Sequence, residues 1–301
     1  MSVFILKLIA MLAMLLDHVA EVFGWTGWDV LPMNASIIRC IGRISFPVFA
    51  FFIVNGWKYT RNREKYFLRL ALCGIVSHIP FTLAFYPPNR NIIHEGEKIF
   101  TFRFMPLPLI IGVVCIVTYW YFVQKRKANR SLITVSIFFL LPAILLKAGY
   151  MWLMADSLNV LYTLAIGCAV LYVIEKIKKK DLRWWEYIWL VSVVLLATVA
   201  YAYRADYGIY FMGLILIVAL YFAQKYRIIQ TILIITWGIV LYGVLIHNLS
   251  NAYATIVPAM LILLYDPKKG GESKGMKRMF YAFYPLHLLI IGVVNVFLRL
   301  F

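Results

Sequence analysis

The chain has 301 residues, of which 63% are hydrophobic and only 14% are charged. Soluble domains carry about 25% charged residues, so this composition excludes an ordinary soluble domain and favours a protein that has the bilayer as its solvent. The formal net charge of +17 is typical of nucleic-acid binders as well as of membrane proteins, but the placement of the basic residues decides between these two classes.

Apolar segments recur from one end of the chain to the other. They are too long and too uniformly apolar for the alternating strands of a membrane barrel, and inside hydrocarbon each backbone polar group must be satisfied within its own segment. We therefore predict an all-α, polytopic integral membrane helical bundle with about 11 transmembrane helices, forming a single domain over residues 1–301. The predicted spans are 3–23, 36–57, 66–86, 104–124, 131–153, 157–175, 184–203, 207–224, 228–247, 250–265 and 279–300.

Basic residues mark one side of the membrane. Most of the 30 Lys and Arg residues lie in or beside the loops that follow the even-numbered spans. By the positive-inside rule, these loops and the N-terminus are cytoplasmic and the C-terminus is outside. The basic excess is thus explained by topology and by attraction to membrane lipids, and no nucleic-acid partner is expected.

The first span is predicted to be retained in the membrane. It contains Lys7, Asp17 and His18 and has no small-residue cleavage site, so it is not a signal peptide. Lys7 is close enough to the inner boundary to snorkel. His18 lies about 22 Å above the cytoplasmic entry, in the outer half of the hydrocarbon core.

Further ionisable residues fall inside other spans, and each defaults to a functional hypothesis because burying it in hydrocarbon is costly. Arg43, about 10 Å below the outer boundary, needs an acceptor, which is Asp17, a substrate or a cofactor phosphate. Together with His18 and Asp17, the predicted polar cluster comprises Arg43, His78, Asp206 with Tyr207 at the outer interface, and His287 near the midplane. Of these, His78, Asp206 and Tyr207 are expected to bind the acceptor substrate.

A histidine beside a carboxylate and an arginine fits acyl transfer. The imidazole removes a proton from an attacking amine or hydroxyl, the carboxylate holds the tautomer, and a cation stabilises the oxyanion. Proton-coupled transport of a small molecule uses the same residue types, and a non-catalytic assembly protein is a third hypothesis. The four cysteines form no C-x-x-C pair, and no metal site is predicted.

Several stretches resemble the conjugative F-pilin acetylase (TraX) family of membrane acetyltransferases. They occur in the family's order and together are quite specific, although they cover about a third of the chain. The matching stretches are LKLIAMLAMLLDHV from Leu6, GRISFPVFAFFIVNG from Gly42, YTRNREKYFLRL from Tyr59, SHIPF from Ser77, ADYGI around Asp206 and KRMFYAFYPLHLL from Lys277.

The resemblance implies an acetyl-CoA-dependent transferase in the inner membrane of a bacterium, acting on a peptide amine or a cell-surface glycan. The family's intramembrane residues map onto His18, Arg43 and His287, and its cytoplasmic residues map onto Thr60, Arg61 and Arg69. The family commonly has an acidic or amide residue where this chain has His78. The basic loop 58–69 and the pair Lys277 and Arg278 suit the phosphates of acetyl-CoA at the cytoplasmic face.

Overall fold

The computed structural model describes residues 1–24, 35–85, 158–180, 207, 211–270 and 273–300, and single positions between 184 and 198. Its elements in this part of the chain are helical. They are α1 (Val3–Gly24), α2 (Ala35–Gly42), α3 (Ser45–Tyr59), α4 (Arg63–Phe85), α5 (Val160–Lys179), α6 (Met212–Phe222), α7 (Arg227–Gly238) with a π-helical continuation (Ile239–Leu245), α8 (Leu249–Ala254), α9 (Ile256–Leu263) and α10 (Lys274–Leu300).

The lengths of the helices confirm a helical membrane protein. Within the described residues, six helical stretches are long and apolar enough to cross a bilayer, and Met212–Phe222 and Leu249–Leu263 are shorter apolar helices. The spans expected at 104–124 and 131–153, and most of 184–203, lie outside the described residues. The number of eleven spans therefore stays a prediction. The six long stretches are Val3–Gly24, Ile37–Tyr59, Arg63–Phe85, Val160–Lys179, Arg227–Leu245 and Gly275–Leu298.

Two of the expected spans are interrupted near prolines. Proline has no N–H to donate to the carbonyl four residues earlier. In the second span, α2 ends at Gly42 and α3 begins at Ser45, just before Pro47. The expected span 250–265 is likewise divided into α8 and α9 at Thr255, three residues before Pro258.

Helices α4 and α10 run parallel and side by side. The Cys73 thiol is 3.5 Å from the Tyr281 carbonyl, a carbonyl that Pro285 leaves without its usual helical donor. Near the other end of the pair, the Asn295 amide donates to the Ala84 carbonyl at 2.9 Å. The two helices therefore start from the same side, and residues at matching distances from these contacts lie at similar depth.

One face of the bundle gathers the basic ends of the helices. The amino group of Met1 donates to the Leu264 carbonyl at 2.7 Å, and Arg227 donates to the Tyr265 carbonyl. Glu175, near the end of α5, forms an ion pair with Arg63 at 2.9 Å. We call this face, made by the N-terminus, residues 60–63, the end of α5 and the 264–270 turn, the basic face. The same Glu175 also accepts from the indole of Trp57 and the hydroxyl of Tyr221.

The basic face predicts a labelling pattern. In a cysteine-free background, single cysteines at Arg61, Lys179 and Lys268 should react from one side of the membrane only, and from the same side, because their segments share this face. If the positive-inside rule holds, that side is the cytoplasm. Labelling of intact cells and of inverted vesicles with a membrane-impermeant maleimide measures it. Reaction of Lys179→Cys in intact cells, with Lys268→Cys protected, would contradict the arrangement.

Candidate functional site

Two ion pairs join α1 to α2 and to the turn that follows it, in the half of the bundle away from the basic face. Both carboxylate oxygens of Asp17 accept from Arg43, at 2.7 and 2.8 Å. One helical turn further along α1, Glu21 pairs with Arg39. The helices approach closely at Gly42, where a β-carbon would lie 2.3 Å from the Asp17 side chain. Arg43 is thus neutralised by Asp17, one of the three acceptors expected for it.

Irregular backbone brings two tyrosines to Arg43. Tyr242 lies on the π-helical segment, and its hydroxyl is 3.4 Å from the guanidinium. π-Helical turns are rare and concentrate at functional sites. Tyr207 has a left-handed backbone with φ of 59°, uncommon for a bulky residue, and it too lies close enough to interact with the Arg43 charge. Its ring stacks on Phe46 with centroids 4.0 Å apart.

The imidazoles of His18 and His287 form the centre of the site. Nδ1 of His18 is 2.8 Å from Nε2 of His287, although the two residues are 269 positions apart in the chain. Nδ1 of His287 lies 2.7 Å from the carbonyl oxygen of Phe283, one turn earlier on α10. The two rings are nearly parallel, and both are buried, with 8% and 5% of their surface exposed.

The expected contact between Asp17 and the His18 ring is not found among the described residues. The carboxylate faces Arg43 instead. Consecutive residues of an α-helix point about 100° apart around its axis, so Asp17 and His18 point in different directions. The neighbour of Asp17 in the sequence therefore faces α10, where His287 provides the contact that the sequence assigned to the carboxylate. The contact expected of Asp17 is thus made to Arg43 instead of to the His18 ring.

His78 lies farther from the centre. Its ring is stacked on Phe81, which contacts Phe85, and Phe85 meets His18 edge to face with centroids 5.4 Å apart. Two aromatic rings therefore separate the two histidines. His78 is 5% exposed, and neither of its ring nitrogens has a hydrogen-bond partner among the described residues. A buried imidazole without partners is costly, so this position suits a polar group brought by a substrate.

Aromatic rings hold the Lys7 ammonium. It lies 5.0 Å from the ring centroids of both Phe52 and Phe280, distances at which a cation is attracted to the ring faces. The snorkelling expected of Lys7 stays a prediction, and these ring contacts are compatible with it. Lys7 and Phe280 lie on the side of the basic face, below His18 and His287 on their respective helices.

The residues expected to bind the cofactor lie at the basic face. Arg69 precedes Cys73 by one helical turn and Lys277 precedes Tyr281 by one turn, so the contact between Cys73 and Tyr281 places the two cations at similar depth on neighbouring helices. Lys277 is about 15 Å along α10 from His287 by helical rise. The cofactor set of Arg61, Arg69, Lys277 and Arg278 is exposed, whereas Thr60 is half-buried.

Of the expected substrate residues, Asp206 lies outside the described part of the chain. Sequence reasoning did not identify two residues that contribute contacts. Tyr242 lies in an apolar segment without a charged residue or proline to mark it. Glu175 lies beside a run of basic residues, which indicates topology only. No group of three or more His, Cys, Asp and Glu residues in the described ranges has the geometry of a metal site.

Fold and site together define a class, namely a helical membrane protein with a buried histidine pair beside an arginine–carboxylate ion pair. The family described as TraX protein matches residues 2–103 and 105–295, and the chain belongs to this family. It is also similar to a probable fimbrial assembly protein, FimC of serogroup H1, from Dichelobacter nodosus. The two are 24% identical over 313 aligned positions, covering 99% of this chain and 97% of that protein. No solved structure matches the chain.

The ion pair between Asp17 and Arg43 generates a stability prediction. Asp17→Asn removes the charge that neutralises Arg43, whose side chain is only 11% exposed. We expect a loss of about 3 kcal/mol in the free energy of unfolding, since breaking a buried pair leaves an uncompensated charge. The double variant Asp17→Asn/Arg43→Gln should recover part of it. Denaturant titration in detergent measures both, and an Asp17→Asn protein as stable as wild type would contradict the pairing.

Proposed function

We propose that the chain is a membrane acetyltransferase, which moves an acetyl group from acetyl-CoA to an amine or hydroxyl acceptor. The observation that carries the proposal is the buried contact between His18 and His287, set beside Arg43 and above a basic face. Imidazole is the usual general base for such transfers. A basic face on the cytoplasmic side suits a donor that carries phosphates.

The proposed reaction begins with the acceptor beside His18. The imidazole removes a proton as the acceptor's nitrogen or oxygen attacks the thioester carbonyl carbon, and negative charge develops on the carbonyl oxygen. The carbon–sulfur bond then breaks, the acetyl group remains on the acceptor, and the sulfur of CoA leaves and takes up the proton. Arg43, held in place by Asp17 and Tyr242, supplies positive charge in a site of low dielectric, where it stabilises the transition state.

The two ends of the site take the two substrates. Thr60, Arg61, Arg69, Lys277 and Arg278 are proposed to bind the nucleotide phosphates of acetyl-CoA at the cytoplasmic face. The pantetheine arm then extends along α10 toward His287, a distance comparable with its extended length. His78, Asp206 and Tyr207 are proposed to bind the acceptor from the outer side of a bacterial inner membrane.

The comparisons favour a peptide acceptor over a glycan. The similar Dichelobacter nodosus protein is named for fimbrial assembly, and fimbriae are built from protein subunits. A subunit with a free amino terminus at the membrane surface would supply the nucleophile. We propose a pilin-like subunit as the acceptor class.

The test of transfer uses His18→Ala. If His18 is the base, the rate of CoA release in the presence of an amine-bearing pilin peptide should fall on the order of 10²–10⁴-fold. The variant should fold as the wild type does. The exposed histidine variant His247→Gln is the matched control and should retain wild-type turnover. CoA release is followed by a thiol reagent, and acetylation of the peptide by mass. Turnover of His18→Ala equal to that of His247→Gln would remove His18 from the chemistry.

The donor end has its own kinetic prediction. The double variant Arg69→Gln/Lys277→Gln should raise KM for acetyl-CoA about fivefold to tenfold, since each exposed charge contact is worth on the order of 1 kcal/mol or less. It should leave kcat unchanged, because phosphate contacts are equal in ground and transition states. Lys179→Gln removes an exposed cation of the same face that lies on α5 rather than on α4 or α10; it is the control and should leave KM at its wild-type value. An unchanged KM in the double variant would remove this edge from the donor site.

A further inference from the structure

The contacts of His287 determine where its hydrogen lies. A backbone carbonyl oxygen only accepts hydrogen bonds, so the 2.7 Å contact between Nδ1 of His287 and the Phe283 oxygen requires the hydrogen on Nδ1. Both imidazoles are buried, and the nearby carboxylate of Asp17 is paired with Arg43. The rings are accordingly neutral at rest, and a neutral imidazole carries one N–H. Nε2 of His287 is thus an acceptor.

The direction of the next hydrogen bond follows. Nδ1 of His18 lies 2.8 Å from that acceptor, so Nδ1 of His18 must be the donor. This leaves the lone pair of the His18 ring on Nε2, the nitrogen that does not face His287. The hydrogen bonds thus run in one direction, from His18 to His287 and from His287 to the backbone oxygen of Phe283.

We propose that His287 is the positioning residue of the site: with the Phe283 carbonyl, it fixes His18 in the tautomer that presents Nε2 as the base. The inference rests on the proposed acetyl transfer, and it gives to an imidazole and a backbone carbonyl the task that a carboxylate performs in the Ser-His-Asp triad. Asp17 is left to hold Arg43. His287 acts through His18 and need not touch either substrate.

The surrounding rings keep this arrangement in place. The rings of His18 and His287 are nearly parallel, at 7°, with centroids 5.1 Å apart, and Phe85 meets the His18 ring edge to face. Tyr284 packs edge to face against both imidazoles. Because rotation of either ring would break these contacts, the nitrogen that faces the partner stays the same.

The same arrangement accounts for the charge formed during transfer. When Nε2 of His18 takes the acceptor's proton, the imidazolium still donates from Nδ1 to the neutral His287 ring. A hydrogen bond from a charged donor is about twice as strong as a neutral one. The bond to His287 therefore strengthens in the transition state, and the proton on Nε2 returns to the departing sulfur.

A spectroscopic measurement tests the tautomer without any substrate. Protein labelled with ¹⁵N-histidine in nanodiscs should show at least two rings with hydrogen on Nδ1, one of which disappears in His18→Asn. In water the free imidazole favours hydrogen on Nε2, so this signature is specific. A His18 signal with hydrogen on Nε2 would overturn the proposal whether or not the protein transfers acetyl groups.

Two substitutions of His287 test its role in turnover. The side-chain oxygen of His287→Gln can accept from Nδ1 of His18, whereas His287→Leu, of similar volume, cannot. We expect His287→Gln to keep kcat within about tenfold of wild type and His287→Leu to lose on the order of 10²-fold or more, by the size of a general-base contribution. KM for acetyl-CoA should change little in either variant. Thermal unfolding and gel filtration verify that both variants fold.

The outcomes separate the inference from the function it rests on. Equal kcat in the Gln and Leu variants, whether both active or both inactive, would overturn the positioning role of His287 while acetyl transfer by wild type stood. A wild-type protein with the expected ¹⁵N signals but no transfer to any amine or hydroxyl acceptor would overturn the proposed function, and with it the catalytic meaning of the tautomer.

Discussion

Ionisable side chains in hydrocarbon need partners within the bundle, and this requirement organises the structure around the pairing of Asp17 with Arg43. An arginine remains charged at every depth of the membrane, so it needs a carboxylate beside it. The pair, repeated by Glu21 and Arg39 one turn away, fixes the register of α1 against α2. Because the ion pairs fix the rotation of α1 against α2, the direction of the His18 side chain on α1 is also fixed. The side chain faces α10 and meets His287.

Parallel packing of α4 and α10 connects this centre to the basic face. The contacts at Cys73 and Asn295 set the register of the pair over most of its length. A cation and a histidine on the same helix are then held at a fixed separation by helical rise, as Lys277 and His287 are on α10. The proposed transferase would need such spacing, because its donor and its acceptor would arrive from opposite sides.

Part of this arrangement is visible in the sequence. Spans that contain charged residues stand out because the charges interrupt long apolar runs, and Asp17 is among the acceptors expected for Arg43. The family follows from the blocks around His18, Arg43 and His287, and the match over residues 2–103 and 105–295 confirms it. The relation between Pro47 and the irregular second span is likewise predictable from the missing N–H of proline.

The pairing of side chains across helices is not predictable in the same way. His18 and His287 are 269 positions apart, and no periodicity within one helix encodes a contact with another. Tyr242 contacts Arg43 from a π-helical segment. The sequence VLYGVL contains no pattern that predicts a π-helix. Adjacency in the sequence was misleading for Asp17 and His18, since neighbouring residues on a helix face different directions.

The proposed transfer requires that a donor bound at the basic face reaches the histidine pair. Calorimetric titration of acetyl-CoA into the purified protein in nanodiscs tests it most directly, with dephospho-CoA and free pantetheine as competitors. The account predicts one saturable site per chain, binding that His18→Ala leaves intact, and weaker competition as phosphates are removed. Absence of saturable binding, in protein shown to be folded by its thermal transition, would contradict the account.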